Sequence, residues 1–209
     1  MKRKLIVGGI IALALTATAA IVSAELGKVK GSDQFEAAGA GIKEPAAAML
    51  ENDSKNSVPG ESDIMGEVCG QKVTKLYFEL QYSSFKTHPL NYANPKEKAW
   101  DSIKQEFWEK AFAAENGLTP TAEEIDQYVE YNKREFATTE EGRSLIKAYA
   151  DGMGMTVNQY WEYNRKYQAP VAVTHGKVAE YLEANQITAP APAEIDGQIT
   201  DLEYYESLQ

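Results

Sequence analysis

Between residues 63 and 186, repeated helix start signals constrain the fold more than any other feature of this chain. The first backbone N–H groups of a helix have no partners within the helix. A Thr or Asn followed three residues later by Glu or Gln provides side-chain oxygens that accept hydrogen bonds from these groups. Boxes of this kind begin at Thr121, Thr138 and Thr156, and Asn94 precedes a proline and Glu97 in a similar arrangement. The spacing predicts several separate helices.

Apolar residues follow each start signal at helical spacing. The strongest case places Trp100, Ile103 and Phe107 on one face of a helix that ends near Gly117. Thr74 caps an earlier helix that runs to about residue 85. We therefore predict a mostly α domain, a small bundle of five to six amphipathic helices over residues 63–186.

A minimal strand pair precedes the first of these helices. Residues 64–68 and 71–73 are short extended segments joined at Cys69 and Gly70. Gly70 provides the positive φ that a tight hairpin turn needs.

The first 24 residues have the pattern of an export signal. Three basic residues precede a largely apolar stretch, residues 5–24, which ends in small residues suited to cleavage before Glu25. About 20 apolar residues are also enough for an uncleaved membrane anchor, so that alternative stays open. Both interpretations place the rest of the chain outside the cytoplasm, because basic residues stay inside.

The two flanks of the predicted domain lack its strong patterning. Residues 25–62 contain few large apolar side chains, so we expect a disordered spacer there. Residues 187–209 open with an Ala-Pro-Ala-Pro run and are predicted to be a Pro/Ala linker and disordered acidic tail, in which residues 202–208 could form a short helix.

Charge and side-chain chemistry exclude several classes of function. The formal net charge is −10, and removal of the three signal cations would make it −13. No stripe of Lys or Arg occurs, which argues against a nucleic-acid partner. Cys69 is the one cysteine, and His88 and His175 are the two histidines, so no zinc-type spacing exists. We predict that both histidines are solvent-exposed or capping, and that the chain has no catalytic residues, no metal site and no cofactor.

Aromatic residues are unusually abundant, with 12 tyrosines and three tryptophans. Such rings are typical of adaptable contact surfaces because they lose little rotamer entropy when they bind. Core and boundary packing explains them equally well. On the first interpretation, the candidate client-binding residues are Tyr77, Tyr82, Tyr149, Met153, Met155, Tyr160, Trp161 and Tyr163.

Three motifs, in order, carry a resemblance to a known family. Residues 68–74 read VCGQKVT, residues 115–125 read ENGLTPTAEEI, and residues 154–161 read GMTVNQYW. Together they resemble the N-terminal, non-catalytic domain of the SurA and PrsA class of extracytoplasmic chaperone-foldases over about 120 residues. Cys69 departs from the family pattern, which has Asn before the turn glycine, and this leaves the turn type open.

The resemblance implies an exported, ATP-independent domain that holds unfolded or extended polypeptides against apolar surface. The family's parvulin isomerase domain needs about 100 further residues, and residues 187–209 are too few for it. We therefore expect a holding protein and not an enzyme. Two alternatives remain: a membrane-tethered assembly protein with one dedicated partner, or a peptidyl-prolyl isomerase.

Overall fold

A computed structural model describes residues 32–88 and 92–208 of the chain. The predicted signal segment, residues 1–24, lies outside these ranges. Most of the described residues are helical and a small sheet accompanies them, which confirms the predicted fold class. Within the described ranges, none of the helices combines the length and the hydropathy that crossing a bilayer requires.

Helix α1, Ser32–Ser54, occupies the segment that we expected to be a disordered spacer, so that expectation is wrong over these 23 residues. The helix packs along α5, Glu140–Gly152, and along α2, Lys75–Lys86. Its buried face is made of Phe35, Ala38, Gly39, Ile42, Pro45 and Ala46. The small size of most of these side chains explains why the sequence pattern indicated no buried face.

Two glycines let α1 and α5 approach until their backbones touch. A Cβ atom at Gly39 would lie 2.3 Å from the carbonyl oxygen of Tyr149, and one at Gly152 would lie 2.1 Å from the carbonyl oxygen of Glu36. Both distances are far below van der Waals contact, so no side chain fits at either position. We call the contact between these two glycine positions and the opposite helix the glycine seam.

The sheet contains three antiparallel strands in the order β2-β1-β3. The predicted pair is confirmed as β1, Ile64–Val68, and β2, Gln71–Thr74. Cys69 and Gly70 both have positive φ, +50° and +72°, which is the signature of a type I′ turn. This result resolves the turn type that Cys69 had left open.

The third strand, β3 at Gly197–Ile199, comes from the segment predicted to be a linker and tail, and it pairs with β1. Helix α8, Leu202–Ser207, follows, and its Tyr204 and Tyr205 pack against the cluster under the sheet. The short acidic helix is therefore confirmed, but the expectation of a disordered tail is wrong. The domain extends beyond the predicted limits of 63 and 186 at both ends.

The remaining helices follow the sequence prediction closely. They are α3 at Pro95–Glu115, α4 at Ala122–Thr138, α6 at Val157–Tyr163 and α7 at Ala169–Asn185. Capping boxes at Thr121 and Thr156 form as expected, whereas the cap of α5 is Thr139 and not Thr138. Asn94 precedes α3, but its side chain donates to Glu97 and does not cap the backbone.

Buried apolar residues form separate clusters. One joins α1, α5 and α6 around Ile42, Tyr149 and Tyr160. A second lies between the sheet, α2 and α3 around Phe78 and Trp100. A third, smaller cluster joins α3 to α7 through Ala113, Val178 and Leu182. The clusters leave space where α1, α2, α3 and α7 converge.

Candidate functional site

A cavity of about 360 Å³ occupies this space, and we call it the central pocket. Ligand sites of proteins commonly lie in such interhelical cavities, and their volumes start near 300 Å³. The apolar part of the wall comes from five helices or connections and consists of Ile42, Met49, Leu80, Pro120, Ile125, Pro170 and Val171.

The polar floor of the central pocket is built around Glu106 of α3. The hydroxyl of Tyr77 on α2 donates to the Glu106 carboxylate, and Gln81 Nε2 donates to the Tyr77 oxygen over 3.2 Å. Burial raises the pKa of Glu106 to about 7, although the hydrogen bond from Tyr77 and the charge of Lys110 act in the opposite direction. Burial and the adjacent Glu106 charge also raise the pKa of Tyr77. Glu106 is therefore a carboxyl group that changes charge near neutral pH.

A second acid, Glu109, lies one turn further along α3 and is 5% exposed. His175 Nδ1 lies 2.8 Å from Glu109 Oε1, and Gln105 Nε2 donates to the same oxygen over 2.9 Å. The hydrogen bond to Glu109 raises the pKa of His175, against the effect of burial. Unlike Glu106, Glu109 thus has an imidazole partner from its own chain, and this pair ties α3 to α7.

The histidines are not where the sequence prediction placed them. His88 is 2% exposed and lies beside the ring of Tyr92, with 5.2 Å between ring centroids. His175 is half-buried in the pair with Glu109. The prediction of exposed or capping histidines is therefore wrong for both. No group of three or more His, Cys, Asp or Glu side chains within residues 32–88 and 92–208 is arranged to hold a metal ion.

A π-helical turn, Asn164–Gln168, forms one side of the central pocket through Lys166, Tyr167 and Gln168. It connects α6 to α7 without a break in the helical path. Pro170 is the second residue of α7, and its ring would clash with the carbonyl four residues earlier in a regular α-helix. The wider turn relieves that clash. Such π turns occur frequently at functional sites.

The π turn, whose Lys166 and Tyr167 line the pocket, also contacts the end of α1. Lys166 Nζ lies 2.6 Å from Asp53 Oδ2, and the Tyr167 hydroxyl donates to the same carboxylate. We call these contacts the Asp53 latch. Lys110 also lines the pocket, and its Nζ lies 5.9 Å from the centre of the Phe107 ring.

The open aromatic surface expected from the sequence is absent at the positions proposed for it. The reason is that these rings pack against one another, as Tyr149 and Tyr160 do edge to face with 5.6 Å between centroids. Of the eight candidates, Tyr77 and Met155 are half-buried, and the buried ones are Tyr82, Tyr149, Met153, Tyr160, Trp161 and Tyr163. The large apolar side chains that are exposed within residues 32–88 and 92–208 are Leu50, Val58, Ile187 and Leu202.

Two of the eight candidates, Tyr77 and Tyr163, do line the central pocket. Trp161 and the neighbouring Phe136 line a separate shallow groove on the far side of the α1–α5–α6 cluster. The structure thus brings two predicted residues to one site and distributes the others between the packed clusters.

Sequence reasoning missed the polar residues Gln81, Glu106 and Glu109, which line the central pocket. One signal was present. Glu106 lies three positions after Ile103 and seven after Ala99, on the face of α3 that is otherwise buried. An acid at a core position of an amphipathic helix marks either an error or a functional site.

With this geometry in view, comparisons of the chain with protein-family models, curated proteins and solved structures find no match.

Proposed function

We propose that this protein is an exported, ATP-independent, chaperone-like protein that holds extended polypeptide segments by taking a side chain of the segment into the central pocket. The observation that carries the proposal is the cavity of about 360 Å³, with mostly apolar walls and a few convergent polar groups on its floor. The proposed binding site is smaller than a broad aromatic cradle, because most of the rings that would have formed that cradle are buried.

Three further features support binding of a flexible chain. The pocket lining includes Met49 and Leu80, whose flexible side chains adapt to different guests. The walls come from separate helices, so small shifts of α1 or α7 change the width of the pocket. The order of the three sequence motifs also resembles a family that holds polypeptides, and the apolar segment 5–24 supports export.

The driving force would be the burial of apolar side chains of the client, worth about 25 cal/mol per Å². One side chain in one pocket gives weak binding, which suits a protein that must release its client without ATP. The acidic surface, with a net charge of −10, would keep a complex with a sticky client in solution.

Filling the pocket tests the proposal. Val171 lines the pocket, whereas Val173 on the same helix is half-buried outside the lining. We expect Val171→Phe to weaken binding of a chemically unfolded, alkylated client chain by at least about tenfold, which corresponds to about 1.4 kcal/mol. Val173→Phe is the matched control and should bind like wild type. The measurement is fluorescence anisotropy of the labelled client with protein purified after expression of the full chain.

Two outcomes would contradict the proposal. Equal client affinity for Val171→Phe and wild type would show that the pocket is not the binding site. Failure of the wild-type protein both to bind the unfolded client and to slow its aggregation at stoichiometric amounts would overturn the holding function itself.

A further inference from the structure

We propose that the central pocket prefers a basic side chain of the bound segment, a lysine or an arginine, with Glu106 as its counter-ion. This inference rests on the proposed function, since it specifies which guest the same pocket selects.

Glu106 uses little of its hydrogen-bonding capacity. An ionised carboxylate accepts about four hydrogen bonds. One oxygen of Glu106 accepts from Tyr77, and the other has no hydrogen-bond partner among residues 32–88 and 92–208. That oxygen belongs to a side chain that lines the central pocket. A donor brought in by a guest therefore finds an acceptor in place.

The surroundings of Glu106 make a cationic donor the best match. Its pKa of about 7 reflects a carboxylate that loses hydration in the pocket. A cation brought alongside offsets that cost, because the attraction between opposite charges is stronger where water is excluded. A guest carboxylate would instead meet both Glu106 and Glu109 and would be repelled.

The cationic side chains near the pocket do not form a salt bridge with the Glu106 carboxylate within the described residues. Lys166 is paired with Asp53, and His175 is paired with Glu109. Lys110 influences the pKa of Glu106 through its charge, but its Nζ is placed over the Phe107 ring. Lys110 makes no salt bridge with Glu106 in the described part of the chain. It is a weak competitor that a guest cation displaces.

The shape of the pocket suits a long basic side chain. Lysine and arginine carry an aliphatic stem that packs on apolar surface while the charged end reaches a polar partner. Leu80 and Val171 provide the apolar wall, and the tyrosines Tyr77 and Tyr163 provide rings that attract cations. The net charge of −10 also draws basic segments toward the protein at low salt.

Matched peptides test the inference. Three peptides of equal length carry Leu-X-Leu at the centre, where X is lysine, norleucine or glutamate. At pH 8 and low salt, we expect the wild-type protein to bind the lysine peptide about tenfold more tightly than the norleucine peptide, and the glutamate peptide most weakly. Isothermal titration calorimetry gives the three affinities.

Variants assign the preference to Glu106. In Glu106→Gln the amide oxygen still accepts from Tyr77 but the negative charge is gone, so we expect the lysine and norleucine peptides to bind with equal affinity. Glu97→Gln, at an exposed acid on the same helix, is the control and should keep the full preference. Lys110→Met removes the competitor, and we expect it to tighten binding of the lysine peptide about threefold.

The outcomes separate this inference from the proposed function. If wild type binds the lysine and norleucine peptides tightly and equally, the inference is overturned and the holding function stands. If Glu106→Gln fails to fold, the Lys110→Met variant decides, and an unchanged lysine affinity there overturns the inference. If none of the peptides binds wild type, both the inference and the proposed function fail.

Discussion

Helix α1 borders two regions that are packed in opposite ways, the glycine seam and the central pocket. At the glycine seam the side chains are reduced to hydrogen, and the backbones of α1 and α5 touch. At the central pocket, Ile42 and Met49 of the same helix face a cavity whose floor contains ionisable groups. Ile42 belongs to both regions, since it is part of the buried α1–α5–α6 cluster and of the pocket wall.

The comparison shows that the glycine seam stabilises the fold, whereas the central pocket contains its ionisable groups. The seam has no room for change, so its tolerance to mutation is set by sterics. The pocket holds a carboxylate whose charged form is disfavoured by burial, which lowers stability at neutral pH. A rigid contact at Gly39 thus holds α1 in place, while Ile42 and Met49, further along the same helix, border the cavity.

The largest expected effect comes from adding a single methyl group to the seam. In Gly152→Ala the new Cβ would lie 2.1 Å from the carbonyl oxygen of Glu36, so α1 must move away from α5. We expect a loss of about 3 kcal/mol in the free energy of unfolding. Urea denaturation followed by circular dichroism measures it.

A glycine outside the seam provides the control for this prediction. At Gly60 a Cβ would meet its nearest atom at 3.5 Å, and φ is −75°, so alanine fits without strain. Gly60→Ala should change the free energy of unfolding by less than about 0.5 kcal/mol. Equal effects of the two substitutions would contradict the seam.

The buried carboxyl group of Glu106 should make the free energy of unfolding depend on pH. Glu106 keeps its proton up to about pH 7 in the folded protein, while the unfolded chain releases it near the ordinary value of 4.5. The folded state therefore binds more protons across this window, and stability falls as pH rises. The raised pKa of His175 acts in the same direction, because its stabilising charge is lost above the folded-state pKa.

We expect wild type to lose about 2 kcal/mol of unfolding free energy from Glu106 between pH 5 and pH 8. Glu106→Gln should flatten the profile and make the protein more stable than wild type at pH 8 by a similar amount. Urea denaturation at several pH values measures both. Parallel profiles for wild type and variant would show that the carboxylate is not strained by burial.

The sequence indicated the elements whose signals are local. Capping boxes at Thr121 and Thr156 and the turn at Gly70 are read from neighbouring residues, and the structure has all three. Helix α1 was missed because Gly39, Gly41 and Pro45 weaken a helix pattern, and its stability comes from contact with α5. Strand β3 was missed because its partner β1 lies about 130 residues earlier in the chain.

The site was harder to predict than the fold. Tyrosines indicated a binding surface, but packing in three dimensions decides whether a ring faces solvent or another ring, and most of these pair in clusters. Glutamates in a helix usually lie on its solvated surface, so the acids of α3 drew no functional prediction from the sequence. Glu106 lines a pocket because α1, α2, α3 and α7 converge around it, and this convergence is not visible in the sequence of α3 alone.

A third prediction concerns the edge of the pocket, where Thr119 and Pro120 lead into α4. Thr121 Oγ1 accepts from the backbone N–H of Glu124, and the Glu124 carboxylate accepts from the Thr121 N–H and from Lys177 of α7. We expect Thr121→Ala to cost about 1 kcal/mol of unfolding free energy. Thr188→Ala, at an exposed coil residue, should be neutral. If Thr121→Ala costs no more unfolding free energy than Thr188→Ala, the cap does not fix this edge of the pocket.

The smallest effect is expected at the Asp53 latch, where the end of α1 contacts the π turn. The side chains of Lys166 and Asp53 are 54% and 40% exposed, so solvent screens their attraction. Lys166→Ala should therefore change the free energy of unfolding by no more than about 0.5 kcal/mol, like Lys55→Ala in the exposed pair with Glu51. The two variants should differ in client binding, because Lys166 lines the pocket and Lys55 does not. Stopped-flow fluorescence should show faster client association and dissociation for Lys166→Ala alone. Rates equal to wild type would mean that α1 is held at the pocket by the glycine seam and not by the latch.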